Sequence, residues 1–282
     1  MKIKSSTMDK VFVTFNTIFL VLFVTITLYP VLNTVALSFN DGIDAVRGGI
    51  HLWPRIFTLS NYKTVLHQQN ILTGAVVSVA RTVLGTIFSL VTNALLAYII
   101  SRKRFLFRSQ LSLFWVITMY VNGGMIPTLV LYRNMNLTNS YAGLIMVYAG
   151  SSGLGYLICK GFFDTVPVAL REAAKLDGAS EARIFFQIVI PMSRPILVYT
   201  IINSFLTPWT DFVMAKMILN SGVSSDWTVA IGLYNMLQKA LINSYFSRFC
   251  AGGVLVAVPI SILFVIMQKF YVEGITSGAA KG

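Results

Sequence analysis

Six long apolar segments, separated by short polar ones, constrain the fold of this chain more than any other feature. A helix needs about 20 apolar residues to cross the hydrocarbon core of a bilayer, and each segment is of that order. Only 11% of the 282 residues are charged, against about 25% in soluble domains. The pattern therefore predicts an all-α integral membrane protein with six transmembrane helices, and it excludes an ordinary soluble enzyme. The predicted spans are 11–37, 71–100, 111–132, 141–163, 195–219 and 249–270.

Two of these spans contain interruptions. Span 111–132 includes Gly123-Gly124 and Pro127, and span 141–163 includes the glycines at 150 and 153. Such small residues permit close helix packing or a break. The first span is longer than the core of a secretory signal, about 7–15 residues, so we expect it to be retained. Residues 40–70 are too polar for the membrane and should form an external segment with partial helix.

The distribution of basic residues predicts the orientation of the spans. The net charge is +12. With both termini in the cytoplasm, the inner segments carry 14 Lys and Arg residues and the outer segments carry 7. This bias follows the positive-inside rule. The rule accounts for the net positive charge, so no nucleic-acid partner has to be assumed to explain it. The inner segments are 1–10, 101–109, 160–194 and 269–282.

The cysteines and histidines give no sign of a disulfide or a metal site. Cys159 and Cys250 lie in or beside apolar segments and are predicted to be buried free thiols. His51 and His67 are near neither cysteine, so we expect no metal.

The inner segment between the fourth and fifth spans, residues 164–194, has local signals for two short helices. Pro167 suits a first helical position, and residues 168–176 are good helix formers. Asp177-Gly178 is a stop and turn signal, and Ser180 can cap a second helix. Pro191 and Pro195 are expected to end that second helix. Its predicted apolar face consists of Ile184, Phe185, Ile188 and Val189. These signals alone also fit a plain connecting loop with amphipathic packing.

A longer motif in this segment resembles a known family. Glu172-Ala173-Ala174, then Gly178, Ile188 and Ile190-Pro191 at fixed spacing, resembles the EAA loop of ABC-importer permeases. That family's pattern ends in Leu-Pro, so Ile-Pro is a mild departure. The segments at 57–62, 101–105, 177–180 and 270–282 are similar to the maltose-permease-like branch that carries carbohydrates. The resemblance covers nearly the whole chain.

The resemblance implies the type I ABC-importer permease fold as a single domain, 1–282, in the bacterial plasma membrane. It implies that this permease subunit imports sugars or oligosaccharides, is not itself an enzyme, and binds no cofactor. Partner ATPase subunits would bind ATP and Mg²⁺, which fits the absence of a Gly-Lys-Ser/Thr phosphate loop in this sequence. The implied partners are a second related permease, two ATPase subunits, an extracytoplasmic sugar-binding protein and membrane lipid.

The resemblance also assigns roles to particular residues. Residues 164–194, here called the coupling loop, would dock in a cleft of the ATPase. The docking residues would be Glu172, Ala173, Ala174, Asp177, Gly178, Ala179, Ile188 and Pro191. The C-terminal tail would contact the ATPase dimer through Gly278, Ala279 and Lys281.

A sugar path needs aromatic faces and hydrogen-bonding side chains near the membrane. On those grounds the candidates are Tyr120, Asn122, Tyr148, Trp209 and Asp211. Aromatic residues near span ends also serve as interfacial anchors, and Asp211 also fits an interface. Arg81 lies within a span, so it must face protein or water, as a structural partner or along the path.

Two other classes of function remain open at this point. A secondary transporter would need intramembrane carboxylates, of which only Asp211 is a candidate. A membrane-embedded transferase would need paired acidic metal ligands at membrane depth, and none is evident in the sequence.

Overall fold

The structure is a computed structural model that describes residues 7–121, 123–150, 152–219, 227–240 and 245–279. Within these residues the regular elements are helices, and one isolated bridge pairs Asn40 with Phe57. The chain divides into two compact units, residues 1–68 with 233–257 and residues 69–232 with 258–282. The expectation that residues 1–282 form a single permease domain stays a prediction.

The first unit begins with α1 (Thr7–Ser38), which covers the first predicted span. Its apolar side chains are exposed over most of its length, as expected of a helix whose surroundings are lipid or other subunits. The hydroxyls of Thr17, Thr25 and Thr34 donate to the carbonyls four residues earlier at 2.7–2.8 Å. These bonds satisfy polar side chains inside the helix itself, which an apolar environment requires.

The polar segment after α1 is folded and contains α2 (Gly42–Ala45) and α3 (Ser60–His67). Buried Asn40 organises it: its side-chain oxygen accepts the N–H groups of Arg55 and Ile56 at 2.7 and 2.9 Å. The Asn61 amide donates to the carbonyl of Asn40 at 2.8 Å, and Arg55 pairs with Asp44 at 3.1 Å. The expected partial helix is therefore present.

The second unit contains the helices from α4 to α13. They are α4 (Gln69–Ser101), α5 (Arg108–Tyr120), α6 (Met125–Asn134), α7 (Tyr141–Ala149), α8 (Gly153–Phe163), α9 (Val168–Leu176), α10 (Glu181–Ile184), a π-helical turn (Phe185–Val189), α11 (Ile190–Met192), α12 (Arg194–Thr210) and α13 (Val213–Ile218). Two further helices, α14 (Val229–Ala240) and α15 (Phe246–Ala279), follow in the chain.

Helix α4 lies at the centre of this unit and packs against α7, α8 and α12. Buried Ala94 and Ala97 leave α4 with a smooth face that lets neighbouring helices approach closely. The core around them includes Tyr156 and Cys159 of α8. Cys159 and Cys250 are both buried free thiols, as predicted.

In the described residues, three helical segments are long and apolar enough to cross a membrane alone, and they lie within α1, α4 and α15. Three bent helix pairs also pass this test, so the number of spans becomes six if each pair forms one span. The predicted interruptions are real breaks. Helices α5 and α6 meet at 114°, next to Gly124 with φ +85°, and α7 and α8 meet at 43°. A side chain on Gly153 would lie 2.4 Å from Met119 of α5, so this glycine serves close packing.

One predicted boundary needs correction. The fifth span does not run unbroken to 219, because α12 ends at Thr210 and extended Asp211 precedes the separate α13. The sixth span, predicted at 249–270, agrees with a candidate span at Phe246–Lys269, and helix α15 continues beyond it to Ala279. Gly278 and Ala279 therefore belong to a helix rather than to a separate small tail, and Lys281 lies outside the described residues. The orientation of the termini stays a prediction.

Candidate coupling loop and transport cavity

Helix α9 ends in a glycine motif that forces the chain to turn. The N–H of Gly178 donates to the carbonyl of Lys175 at 3.0 Å, and the N–H of Ala179 donates to that of Ala174 at 2.9 Å. This is the Schellman arrangement, in which the residue after the C-cap adopts a left-handed conformation. Gly178 has φ +76°, so the turn predicted at Asp177-Gly178 is confirmed. Pro167 lies one residue before the helix, at its N-cap.

The second helix of the coupling loop begins as predicted but ends differently. The Ser180 hydroxyl accepts the N–H of Arg183 at 3.2 Å and caps it. The helix continues past Pro191 to Met192 and ends at Ser193, so Pro191 does not terminate it. The π-helical turn explains this: the N–H of Ile190 reaches back to the carbonyl of Phe185. The wider turn accommodates the proline, which has no N–H to donate.

The two faces of this helix differ in burial. Ile184, Phe185 and Val189 are buried in the core around α4, and Ile188 packs against its edge. The predicted apolar face is therefore confirmed. Ile188 also lines a shallow cavity of about 250 Å³ in the loop, together with Ala174, Asp177, Ala179, Arg183, Ile184 and Gln187.

The predicted docking residues of the loop differ in their exposure. Glu172, Ala173, Asp177, Gly178 and Pro191 are exposed, and Ala174, Ala179 and Ile188 are half-buried. Sequence reasoning missed Leu176 at the end of α9, whose side chain is 90% exposed. The signal in the sequence is a leucine directly before the stop and turn signal Asp177-Gly178.

A second site lies among the central helices of the second unit. Residues of α4, α7, α8 and α12 surround a cavity of about 410 Å³. Its polar lining consists of Ser89, Tyr148, Ser152, Tyr199, Thr200, Asn203, Ser204 and Thr207. On α12, Tyr199, Asn203 and Thr207 recur every fourth residue, which places them on one face. That spacing of polar residues inside an apolar segment is the signal that could have identified this face from sequence.

The predicted sugar-path residues differ in their surroundings. Tyr148 lines the cavity. Trp209 is buried with its ring stacked on Phe205 at 5.7 Å, and Tyr120 is 81% exposed at the end of α5. Asn122 lies outside the described residues. Of the predicted residues that the structure describes, Tyr148 lines the cavity, and the Arg81 guanidinium lies 5.6 Å from the centre of its ring. The role of this set in a sugar path stays a prediction.

Asp211 and Arg81 form an ion pair that the sequence did not predict. Their side chains are 13% and 1% exposed, and Arg81 Nη1 lies 3.4 Å from Asp211 Oδ2. Arg81 also donates to the backbone carbonyl of Asp211 at 3.2 Å. The Asp211 carboxylate accepts the N–H groups of Met214 and Ala215 at 3.1 and 2.9 Å, which caps α13. These contacts hold the break between α12 and α13, and the Arg81 guanidinium also lies 5.6 Å from the ring centre of the cavity residue Tyr148.

Together, the broken apolar helices and the folded polar loop define a membrane-embedded permease. A family model for binding-protein-dependent transport system inner membrane components matches residues 4–276. The chain therefore belongs to that family of ABC transport permeases, as the EAA motif predicted.

Individual relatives agree with this assignment. The chain is 33% identical over 274 residues to the galactooligosaccharides transport system permease protein GanQ of Bacillus subtilis (strain 168), covering 95% of each chain. It is 37% identical over 196 residues to the maltodextrin transport system permease protein MalD of Streptococcus pneumoniae (strain ATCC BAA-255 / R6), covering 67% of each. A solved bacterial ABC transporter involved in the import of the acidic polysaccharide alginate contains a chain with the same fold. The TM-score is 0.86 at 23% identity, over 96% of this chain and 100% of that chain.

Proposed function

We propose that this chain is the permease subunit of an ATP-driven importer that carries sugars or oligosaccharides across the bacterial plasma membrane. It would assemble with a second related permease, two ATPase subunits and an extracytoplasmic sugar-binding protein. The observation that carries the proposal is the coupling loop, a short folded segment with a buried face on the core around α4 and an exposed tip.

The tip has the properties of a docking surface. Gly178 permits a tight turn, Glu172 and Asp177 offer exposed carboxylates, and Leu176 offers exposed apolar area. The opposite face packs on the helices around α4. A partner that binds the tip can therefore transmit its motion to the membrane helices. Alternating access requires such a transmission of motion. The sequence has no phosphate loop, which supports the proposal that the ATP is hydrolysed by a partner.

The cavity supports a neutral saccharide as cargo. The side chains that line it in the described residues are hydroxyls, an amide, aromatic rings and small apolar groups. Hydroxyl and amide groups exchange hydrogen bonds with sugar hydroxyls, and tyrosine rings offer flat apolar faces. A uronate would bring a carboxylate, and a buried carboxylate is costly unless it is paired.

Secondary transport is the competing function. A proton or ion relay would need a carboxylate that is free to change its charge in the membrane. Asp211, the candidate for this role, is occupied by Arg81 and by two backbone N–H groups. This arrangement favours a structural role and so supports the ATP-driven alternative.

The test is uptake in proteoliposomes that contain the complex purified through a tag on this chain. We expect accumulation of a neutral oligosaccharide only with ATP, with the binding protein present, and unchanged by an ionophore that collapses ion gradients. A matched uronic-acid oligosaccharide should compete poorly. Uptake that needs no ATP and that stops with the ionophore would overturn the proposal.

A further inference from the structure

The coupling loop is held to the end of α4 by a small polar cluster around Glu181. The Tyr98 hydroxyl donates to Glu181 Oε2 at 2.8 Å, and it lies 3.2 Å from the Glu181 carbonyl oxygen. Arg102 Nη2 lies 3.3 Å from the same carboxylate oxygen, and Lys175 Nζ lies 2.5 Å from Oε1. One carboxylate therefore joins α9, α10 and the C-terminal end of α4.

Aromatic packing supports the contact on the α4 side. The Arg102 guanidinium stacks over the Tyr98 ring at 3.7 Å, and the Tyr98 ring lies 4.7 Å from that of buried Phe185. A guanidinium at this distance from a ring is attracted by the ring face. The tyrosine thus touches the π-helical turn with its ring and Glu181 with its hydroxyl, so it fixes two parts of the loop at once.

Three basic side chains, those of Lys175, Arg102 and Arg171, interact with the Glu181 carboxylate. The hydrogen bond from Lys175, with a further contribution from Arg102, lowers the pKa of Glu181, so this carboxylate is charged at neutral pH. Arg102 and the nearby Arg171 repel one another, and Glu181 opposes that repulsion. The pair with Lys175 is half exposed on both sides and stabilises little. Tyr98 and Arg102 are more buried than Lys175, at 7%, 20% and 49% exposed, so solvent screens their contacts with Glu181 less.

The backbone connection from the coupling loop to α12 is less direct than the side-chain contacts between the loop and α4. In its second half the loop passes through the π-helical turn, and the chain then bends by 85° into α12. Breaks of this kind in the helical hydrogen-bond ladder are points where a helix bends. Helix α4, by contrast, is an unbroken helix that packs on α7, α8 and α12.

From this geometry we infer that Glu181 is a positioning residue which fixes the coupling loop to α4, so that displacement of the loop moves α4 and the helices packed on it. The inference rests on the proposed function and adds the route by which the loop acts. In this account Glu172 and the exposed tip meet the ATPase, and Glu181 passes the motion on within this chain.

The test uses the complete complex in proteoliposomes, with wild-type, Glu181→Gln, Tyr98→Phe and Asp164→Asn chains. Asp164→Asn is the matched control. Asp164 is the C-cap of α8 at the very start of the loop and is not one of the predicted docking residues. It also loses a charge in a basic pair, with Lys160 of α8 at 2.6 Å, but it does not join the loop to α4. Sugar imported per ATP hydrolysed is the readout, with membrane abundance and ATPase co-purification measured alongside.

Glu181→Gln should keep abundance and co-purification and should lower the amount of sugar imported per ATP by about threefold to tenfold. Tyr98→Phe should give a smaller loss in the same direction, and the double variant should lose less than the product of the two single losses. The Asp164→Asn control should keep the wild-type ratio.

An unchanged ratio in an assembled Glu181→Gln complex would overturn the inference, as would an equal loss in the Asp164→Asn control. If Glu181→Gln fails to assemble, Tyr98→Phe decides, because it leaves the carboxylate in place, and an unchanged ratio in that variant overturns the inference. ATP-independent uptake by the wild-type complex would instead refute the proposed function, so the two failures are distinguishable.

Discussion

Replacing Gly178 by leucine should weaken docking of the ATPase without affecting insertion into the membrane. Gly178 has φ +76°, and a residue with a side chain in the left-handed region costs about 1–2 kcal/mol. No heavy atom lies within 4 Å of a Cβ placed at this position, so the substitution adds no internal clash. The backbone cost alone shifts the local equilibrium away from the native turn by about fivefold to thirtyfold.

Two further substitutions separate backbone cost from intrusion on the docking surface. Gly178→Asn adds a side chain but is better tolerated in the left-handed region, whereas Gly178→Ala carries the backbone cost with only a methyl group. If the turn dominates, asparagine should retain more co-purifying ATPase than alanine. If intrusion dominates, alanine should retain more than asparagine. Gly178→Leu combines the backbone cost with a large side chain, so it should retain the least co-purifying ATPase in either case.

The assay measures membrane abundance, co-purification of the ATPase and sugar uptake in the same cells. We expect wild-type abundance for Gly178→Leu, because the exposed turn at residue 178 lies outside the predicted spans, together with weak ATPase association and loss of uptake. Normal uptake at normal abundance would mean that residues 164–194 are only a connector, and the coupling assignment would then be abandoned.

Three shorter predictions follow from the same structure. The purified chain alone should hydrolyse no ATP, because its sequence has no phosphate loop; phosphate release above that of a mock purification would contradict this. Deletion of the residues after Gly274 should lower ATPase co-purification and uptake, as the resemblance implies, and unchanged assembly and transport would indicate a dispensable terminus. Asp211→Ala should lower membrane abundance far more than Asp164→Ala, since removing one partner of a buried pair costs about 3–5 kcal/mol; equal abundance of the two variants would refute the structural role of the pair.

The parts of the fold that local signals determine could be predicted from the sequence. Apolar runs identify the membrane helices, and the glycine pairs mark where two of them break. Within the coupling loop, Gly178 and Ser180 act on the backbone within a few residues of themselves. Each of these signals depends on neighbouring residues only, so a single sequence carries it.

The contacts that join distant residues could not be predicted in this way. Arg81 and Asp211 are separated by 130 residues, and Tyr98 and Glu181 by 83. The residues next to Arg81 in the sequence do not identify Asp211 as its partner, although the sequence shows that both are charged residues within predicted spans. The cavity likewise needs α4, α7, α8 and α12 to be brought together, and that depends on packing rather than on any one segment.

Cross-linking from the tip of the coupling loop tests the central claim most directly. Cys159 and Cys250 are buried, so Leu176→Cys can be labelled selectively with a photo-crosslinker in the assembled complex. The matched control is Leu106→Cys, which replaces another leucine of nearly equal exposure, 88% against 90%, outside the loop.

The account predicts that position 176 cross-links to an ATPase subunit and that position 106 does not, with the yield at 176 changing when ATP is added. A cross-link from 106 alone, or none from 176 in an active complex, would contradict the claim that this loop carries ATP-driven motion into the membrane.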